Sequence, residues 1–256
     1  MSSVEVHAID SGRRDGPVVV LSNSLGSTHR MWDAQIGTLE RHFRVLRYDT
    51  RGHGASPVPD GPYGIEALTD DLVALLDRFR IERAHVVGLS LGGMTALHLA
   101  ARNPDRVNRI VVLCTAVQLA PASAWTQRAT LVRARGTAAV ASAVVARWFT
   151  GDYRRTHPEV AAAHESMVAA TPAEGYAACC EAIAAVDLRA ALSSVRAPTL
   201  AVAGADDSAT PPARLQEIVA GVADSQLLVV DHAAHLANAE RPAEVTAAIV
   251  AHLQHP

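Results

Sequence analysis

The sequence is poor in residue types that mark several specialised classes of protein. Its three cysteines, Cys114, Cys179 and Cys180, form neither a disulfide framework nor a CxxC metal pattern, so we expect them to pack in the core. Only 4% of the residues are aromatic. No apolar run approaches the roughly 18 residues that a bilayer span requires, and the amino terminus lacks the signal-peptide pattern. We therefore predict a soluble, cytoplasmic protein.

The chain also lacks an excess of positive charge. The chain has 23 Lys and Arg residues against 26 Asp and Glu residues, which gives a formal net charge of −3, and it has no basic run or basic stripe interleaved with aromatics. Nucleic-acid binding relies on such a surface. We therefore predict no nucleic-acid partner and no membrane partner, while the possibility of a homo-oligomer stays open.

Short apolar runs alternate with amphipathic helical patterns along the chain. Six of these runs resemble parallel strands that are covered on both faces. They are GPVVVLSN (16–23), FRVLRYD (43–49), AHVVGLS (84–90), NRIVVLC (108–114), APTLAVAG (197–204) and SQLLVVD (225–231). The alternation predicts an α/β fold, a doubly wound and mostly parallel sheet.

One long stretch lacks any strand pattern. Residues 119–188 are rich in alanine and have helical periodicity throughout. Folds of this class bind ligands at the carboxyl ends of their strands. We therefore predict a core formed by residues 1–118 and 189–256, with 119–188 inserted as a helical cap over that edge.

The stretch VVGLSLGG (86–93) places Ser90 at the end of an apolar strand, between Gly88 and Gly92. One interpretation is a strand-to-helix turn in which the serine caps the helix. The other is the G-x-S-x-G nucleophile elbow, in which the serine occupies a tight, strained turn. The pentapeptide alone does not decide between them.

A serine nucleophile needs a base, and the base needs an acid that orients it. On a sheet of this kind the acid and then the base follow the serine along the chain, in loops after later strands. Asp206 and Asp207 follow the fifth predicted strand, and the spacing from Gly204 favours Asp207. His232 and His235 follow the sixth.

The interval before Glu240 and Pro242 favours His235 as the base over His232. The remaining histidines, among them His7, are expected to be surface or packing residues. Asp49 and Arg51, which follow the second predicted strand, are interpreted as bracing a turn through hydrogen bonds to the backbone.

An oxyanion formed at the serine needs backbone N–H donors. One is expected from Leu91, directly after the nucleophile. The second is expected from the loop SNSLGS (22–27) that follows the first predicted strand, with Ser24 as the donor and Leu25 as the alternative.

Several segments together carry a resemblance to a known family. These are SNSLGSTHRMWDAQ, FRVLRYDTRGHGAS, GLSLGG, ARWFTGDY, GYAACCEAI and AGADDSATPP, joined by the late His235. With them the chain resembles the α/β-hydrolase superfamily and, more narrowly, its 3-oxoadipate enol-lactonases, which act in the β-ketoadipate pathway of aromatic degradation.

The resemblance implies a serine hydrolase that opens a small anionic lactone through an acyl-enzyme, with catalytic residues Ser90, Asp207 and His235 and no metal or organic cofactor. The alternatives are another carboxylesterase, a perhydrolase, a carbon–carbon bond hydrolase or a non-catalytic protein of the same fold.

The substrate that the resemblance implies carries a free carboxylate, which a cap arginine is expected to bind. Trp125 and Arg128 are three residues apart and share a helix face, and Arg133 lies close to two turns beyond Trp125. These three are the candidate substrate-binding residues. The cap arginines are Arg128, Arg133, Arg135, Arg147, Arg154 and Arg155.

Overall fold

The computed structural model of the protein describes residues 2–255 and contains one seven-stranded sheet. The six predicted strands are all present, and each begins and ends within two residues of its expected bounds. The strands are β1 (Ala8–Gly12), β2 (Val18–Ser22), β3 (Arg44–Tyr48), β4 (Ala84–Leu89), β5 (Val107–Leu113), β6 (Thr199–Gly204) and β7 (Ser225–Val230).

The order of the strands across the sheet is β1-β3-β2-β4-β5-β6-β7. All neighbouring pairs are parallel except β1 and β3, which are antiparallel. The prediction of a mostly parallel sheet is therefore confirmed. Because β2, β4, β5, β6 and β7 are parallel, the loops that leave their carboxyl ends converge at one edge of the sheet.

Eleven helices accompany the sheet in the described part of the chain. They are α1 (Asp33–His42), α2 (Ile65–Arg78), α3 (Leu91–Arg102), α4 (Ala122–Arg135), α5 (Ala138–Trp148), α6 (Gly151–Thr156), α7 (Pro158–Ala169), α8 (Ala173–Ala185), α9 (Pro212–Gly221), α10 (Ala237–Glu240) and α11 (Pro242–Gln254). Three short 3-10 segments join them: His29–Trp32, Pro104–Arg106 and Arg189–Ser194.

The core helices form two groups. Helix α1 contacts α11, whereas α3 contacts α2, and both groups also pack on the strands. The chain moves in opposite directions across the sheet from β2 to β3 and from β4 to β5, and right-handed crossovers then place α1 and α3 on opposite faces. This covering explains why the central strand β4 is buried at every residue.

The segment between β5 and β6 contains helices α4 to α8 and, within residues 2–255, no strand. Helices α4 and α8 pack against each other, as do α5 and α7. The helices agree with the helical pattern of residues 119–188. The boundaries between core and cap, at 118/119 and 188/189, remain a prediction. Cys179 and Cys180 of α8 and Cys114 after β5 are all fully buried. Within residues 2–255, the structure has no helix with the length and apolar character of a membrane span.

Candidate active site

Ser90 occupies a strained turn between β4 and α3. Its backbone has φ 56° and ψ −114°, a conformation that residues other than glycine rarely adopt. The serine side chain makes no capping hydrogen bond to α3, so the structure disfavours the simple helix-cap interpretation. A Cβ added to Gly88 would lie 2.1 Å from the carbonyl oxygen of Gly92. The turn therefore has the stereochemistry of a nucleophile elbow.

The tight packing at Gly92 gives a stability prediction. A Cβ at this position would lie 2.2 Å from the backbone oxygen of Ser22, so Gly92→Ala must displace main chain and should lower the free energy of unfolding by at least about 2 kcal/mol. A Cβ added to Gly37, inside α1, would have no neighbouring atom within 4 Å, and Gly37→Ala should raise stability by about 0.5–1 kcal/mol. Urea unfolding of both variants tests the contrast, and equal effects would contradict it.

Asp207 and His235 form a buried hydrogen-bonded pair. His235 Nδ1 lies 2.7 Å from Asp207 Oδ2, and Asp207 and His235 are 2% and 5% exposed. The other Asp207 oxygen, Oδ1, accepts hydrogen bonds from the backbone N–H groups of Ala209 and Thr210 at 2.8 and 3.0 Å. The Thr210 hydroxyl donates to Oδ2 at 2.6 Å. These donors fix the carboxylate so that its remaining interaction is with the imidazole.

Burial opposes ionisation of Asp207, but the charge and hydrogen bond of His235, together with the donors of Thr210, hold its pKa at about 2. The carboxylate is therefore ionised at neutral pH. The rival residues Asp206 and His232 are exposed to solvent. The geometry thus brings together the two residues that the spacing favoured, although their catalytic roles remain a proposal.

Hydrogen bonds on both sides of His235 connect its loop to residues 148–150, which join α5 and α6. Glu240, 5% exposed, accepts hydrogen bonds from the Ala234 N–H at 2.9 Å and the Thr150 N–H at 3.1 Å, and also from the Thr150 hydroxyl. The Leu236 N–H donates to the Trp148 carbonyl at 2.8 Å. In the sequence Glu240 served only as a spacing marker, and this link between the proposed cap and the histidine was missed.

The two predicted oxyanion donors belong to segments that lie next to each other, since a Cβ on Gly92 of α3 would be 2.2 Å from the backbone oxygen of Ser22. Leu91 is the first residue of α3, so its N–H has no acceptor within the helix. The Ser24 N–H points to the thioether of Met31 at 3.3 Å, a weak acceptor that a substrate oxygen could replace. Within residues 2–255 the Leu25 N–H has no hydrogen bond. The choice between Ser24 and Leu25 therefore remains open.

The Ser90 hydroxyl is reachable, since the residue is 9% exposed, and its side chain forms no hydrogen bond with any residue from 2 to 255. Hydrogen bonds of catalytic groups are often long in the free enzyme and shorten when substrate binds. The arrangement is therefore compatible with a serine that meets its base in the substrate complex.

The predicted substrate-binding residues of α4 have different surroundings. The Arg128 guanidinium lies over the Trp125 ring, 4.6 Å from its centroid, as the helical spacing predicts. Arg133 is already paired with two carboxylates, Glu174 at 2.7 Å and Glu181 of the same helix α8. Its charge is thus matched within the protein, which makes Arg133 a poor anchor for a substrate.

Arg147 had no special weight among the cap arginines of the sequence, but its surroundings single it out. Partial burial, and then the positive charge of nearby Arg128, lower the pKa of Arg147. Within residues 2–255 neither arginine forms an ion pair. Both lie near Tyr176, which is fully buried and would be 2.9 Å from a Cβ placed on Gly26 in the predicted oxyanion loop. Two cations without carboxylate partners in residues 2–255 therefore lie near a tyrosine that packs against the predicted oxyanion loop.

Comparison with known proteins agrees with this geometry. The family profile for the alpha/beta hydrolase fold matches residues 17–242. The chain belongs to the α/β-hydrolase family. Among curated relatives of this α/β hydrolase, the 3-oxoadipate enol-lactonase 2 of Acinetobacter baylyi is 41% identical over 90% of this chain and 86% of its own length.

Solved structures give the same grouping for this α/β hydrolase. The enol-lactonase from Burkholderia xenovorans LB400 superposes with a TM-score of 0.96 at 42% identity, covering 98% of this chain and 97% of that one. A thermophilic esterase from Thermogutta terrifontis, with malate bound, has a TM-score of 0.93 at 30% identity, covering 98% and 93%. The resemblance to enol-lactonases seen in the sequence is confirmed.

Proposed function

We propose that this α/β hydrolase opens 3-oxoadipate enol-lactone to 3-oxoadipate, and that it does so within the β-ketoadipate pathway. The observation that carries the proposal is the buried Asp207–His235 pair, at 2.7 Å, in loops at the same sheet edge as the strained turn of Ser90. The similarity to two enol-lactonases, at 41% and 42% identity, supports the choice of substrate.

In this mechanism the acyl group passes through Ser90. The serine Oγ attacks the lactone carbonyl while His235 Nε2 accepts its proton, and Asp207 stabilises the imidazolium and holds the ring through Nδ1. The N–H group of Leu91, together with that of Ser24 or Leu25, stabilises the tetrahedral oxyanion. The ring C–O bond then breaks, and the imidazolium returns the proton to the leaving enol oxygen.

Water completes the reaction. His235 removes a proton from a water molecule as its oxygen attacks the acyl-enzyme, and Ser90 leaves with the proton that the histidine returns. The product carries two carboxylates, and its enol converts to the ketone. Every proton transfer uses the one imidazole, so the proposal requires no metal or cofactor.

The substrate carboxylate is proposed to bind to Arg128 and Arg147. A carboxylate that enters a partly closed pocket loses hydration, which guanidinium groups replace well through paired hydrogen bonds. These two arginines lack carboxylate partners in residues 2–255, and the pKa of Arg147 is lowered partly because Arg128 is close. An anion between them would relieve the repulsion. Trp125, which packs on Arg128, is proposed as an apolar wall.

The anchor is tested by comparing the enol-lactone with its neutral methyl ester. We expect kcat/KM to favour the anion by roughly 10-fold or more, which corresponds to about 1.4 kcal/mol of transition-state binding, and the preference should shrink at high salt. Arg128→Ala or Arg147→Ala should abolish the preference. Arg133→Ala is the matched control on α4 and should retain it.

Two results would contradict parts of this proposal. Equal kcat/KM values for the anion and its methyl ester would exclude a cationic anchor and favour a broad carboxylesterase; the Thermogutta terrifontis relative is named an esterase. If the preference for the anion persists in both Arg128→Ala and Arg147→Ala but is lost in Arg133→Ala, Arg133 binds the substrate carboxylate instead.

A further inference from the structure

Three side chains that take no part in the proposed reaction converge at the edge of the sheet near β1. They are His7, which precedes β1, His29 in the 3-10 segment after β2, and Asp49, which follows β3. One ligand atom from each lies within 4.8 Å of the other two. His29 Nδ1 is 2.8 Å from Asp49 Oδ1, and His7 Nδ1 is 3.3 Å from Asp49 Oδ2.

The His7 imidazole is incompletely satisfied. Its Nδ1 atom is shielded from solvent yet has no hydrogen-bond partner among residues 2–255, although the ring as a whole is partly accessible. Polar atoms in this situation normally have a partner, because leaving one unpaired costs free energy. The atom lies 3.3 Å from Asp49 Oδ2, and the ring centroid of His29 is 5.6 Å from that of His7. An ion among the three side chains would satisfy this nitrogen.

Asp49 is held in a fixed orientation by the backbone. It is 1% exposed, and its two oxygens accept hydrogen bonds from the N–H groups of His29 at 2.8 Å and Ala55 at 3.0 Å. Gly54 packs directly against the carboxylate, where a Cβ would lie 2.3 Å from Oδ2. Metal ligands in proteins are typically oriented by outer hydrogen bonds of this kind.

We propose that His7, His29 and Asp49 bind a divalent transition-metal ion of the class that prefers imidazole and carboxylate ligands, with Zn²⁺ as the best fit. Two imidazole nitrogens favour Zn²⁺, Co²⁺ or Ni²⁺ over the oxygen-seeking Mg²⁺ and Ca²⁺. Tetrahedral Zn²⁺ with bonds of about 2.0–2.1 Å places its donor atoms roughly 3.3 Å apart. The 3.3 Å between His7 Nδ1 and Asp49 Oδ2 matches this value, whereas the 2.8 Å between His29 Nδ1 and Asp49 Oδ1 would have to lengthen when the ion binds. Binding of the metal would replace the hydrogen bond between His29 Nδ1 and Asp49 Oδ1 and release any proton that Nδ1 carries.

Three protein ligands leave the fourth position of a tetrahedral ion for a water molecule. The three ligands come from three separate segments, so the ion would cross-link the chain before β1 to the 3-10 segment and to the end of β3. None of the three belongs to the proposed catalytic set. The expected effect of the metal is therefore on stability, and the site is independent of the proposed hydrolysis.

The test is isothermal titration of the untagged, chelator-treated full chain with ZnCl₂, supported by the visible absorption of the Co²⁺ complex. We expect one ion per chain with a dissociation constant in the micromolar range or tighter, and a rise in Tm when Zn²⁺ is added. His7→Ala and His29→Ala should each weaken binding by at least about tenfold. His232→Ala, which removes an exposed histidine outside the cluster, should bind as the parent does.

His7→Ala is the decisive variant, because its side chain is partly exposed and its removal should leave the fold intact, as circular dichroism can verify. No saturable Zn²⁺ binding by the parent protein would overturn the proposal. Binding that is unchanged in both His7→Ala and His29→Ala, or that is lost in His232→Ala, would also overturn it. Because the readout is binding, the result does not depend on whether the lactone is the substrate.

Discussion

Ser90→Ala should lose enol-lactone turnover by a factor on the order of 10⁴–10⁶ in kcat while remaining folded. The reason is that the covalent route disappears with the hydroxyl, whereas the elbow accepts a small side chain. Alanine adds no atom beyond the Cβ that Ser90 already places in this turn, and the serine hydroxyl makes no hydrogen bond within residues 2–255 that the fold would lose. Steady-state kinetics and a thermal melt on the same preparation measure both effects.

Thr95→Ser is a suitable companion variant, because Thr95 is a buried hydroxyl residue one turn further along α3. Its hydroxyl bonds the Leu91 carbonyl at 3.0 Å, a contact that serine can keep, so turnover should stay near that of the parent. A Ser90→Ala protein that retains more than a tenth of the parent kcat/KM would show that the nucleophile has been misassigned.

His235→Ala and Asp207→Asn should be the next most damaging changes, each lowering kcat by about 10⁴ or more. Removal of the imidazole leaves no base for the serine. An amide at position 207 no longer holds the imidazole in the required tautomer or stabilises its cation. Since the pKa of Asp207 is about 2, this carboxylate stays ionised at every pH well above that value and contributes no step to the pH–rate profile around neutrality.

The chain provides a matched control for each substitution. Asp206 and His232 are the exposed neighbours of the two buried residues, and Asp206→Asn and His232→Ala should change kcat by less than roughly threefold, since surface changes rarely have large effects. A large loss in either control, together with a small loss in its buried counterpart, would reverse the assignment of the acid or the base.

Much of the fold was predictable because its signals are local. The central strands β2, β4 and β6 are buried on both faces, so their sequences are nearly continuous apolar runs. Strand β1, AIDSG, was missed because it is a five-residue edge strand of intermediate burial that is defined by its pairing with β3. No periodicity within the segment itself specifies that pairing.

In the candidate site, too, local sequence signals were predictive and contacts between distant segments were not. Asp207 could be chosen over its neighbour by its spacing from Gly204, and His235 by its interval before Glu240 and Pro242. Glu240 and Arg147 could not, because their roles arise from contacts between the segment around residues 147–150 and distant parts of the chain. The ion pairs of Arg133 were unforeseen for a similar reason: its partners Glu174 and Glu181 lie on α8, 41 and 48 residues further along the chain.

The cluster of His7, His29 and Asp49 could not be predicted from the sequence at all. Its members come from three segments that only the sheet brings together, and none has a ligand spacing that a sequence pattern could reveal. The interpretation of Asp49 as a turn-bracing residue agrees with its backbone hydrogen bonds. The proposed metal would use the face of the carboxylate that those bonds orient.

The central claim is that this α/β hydrolase acts on the anionic enol-lactone, and the most direct test compares kcat/KM for 3-oxoadipate enol-lactone and for a simple aryl acetate with the same enzyme preparation. We predict a value for the lactone within the usual range for natural substrates, about 10⁴–10⁸ M⁻¹ s⁻¹, and at least roughly 100-fold above that for the aryl ester. A lactone value equal to or below the aryl ester value would contradict the claim and indicate a general esterase.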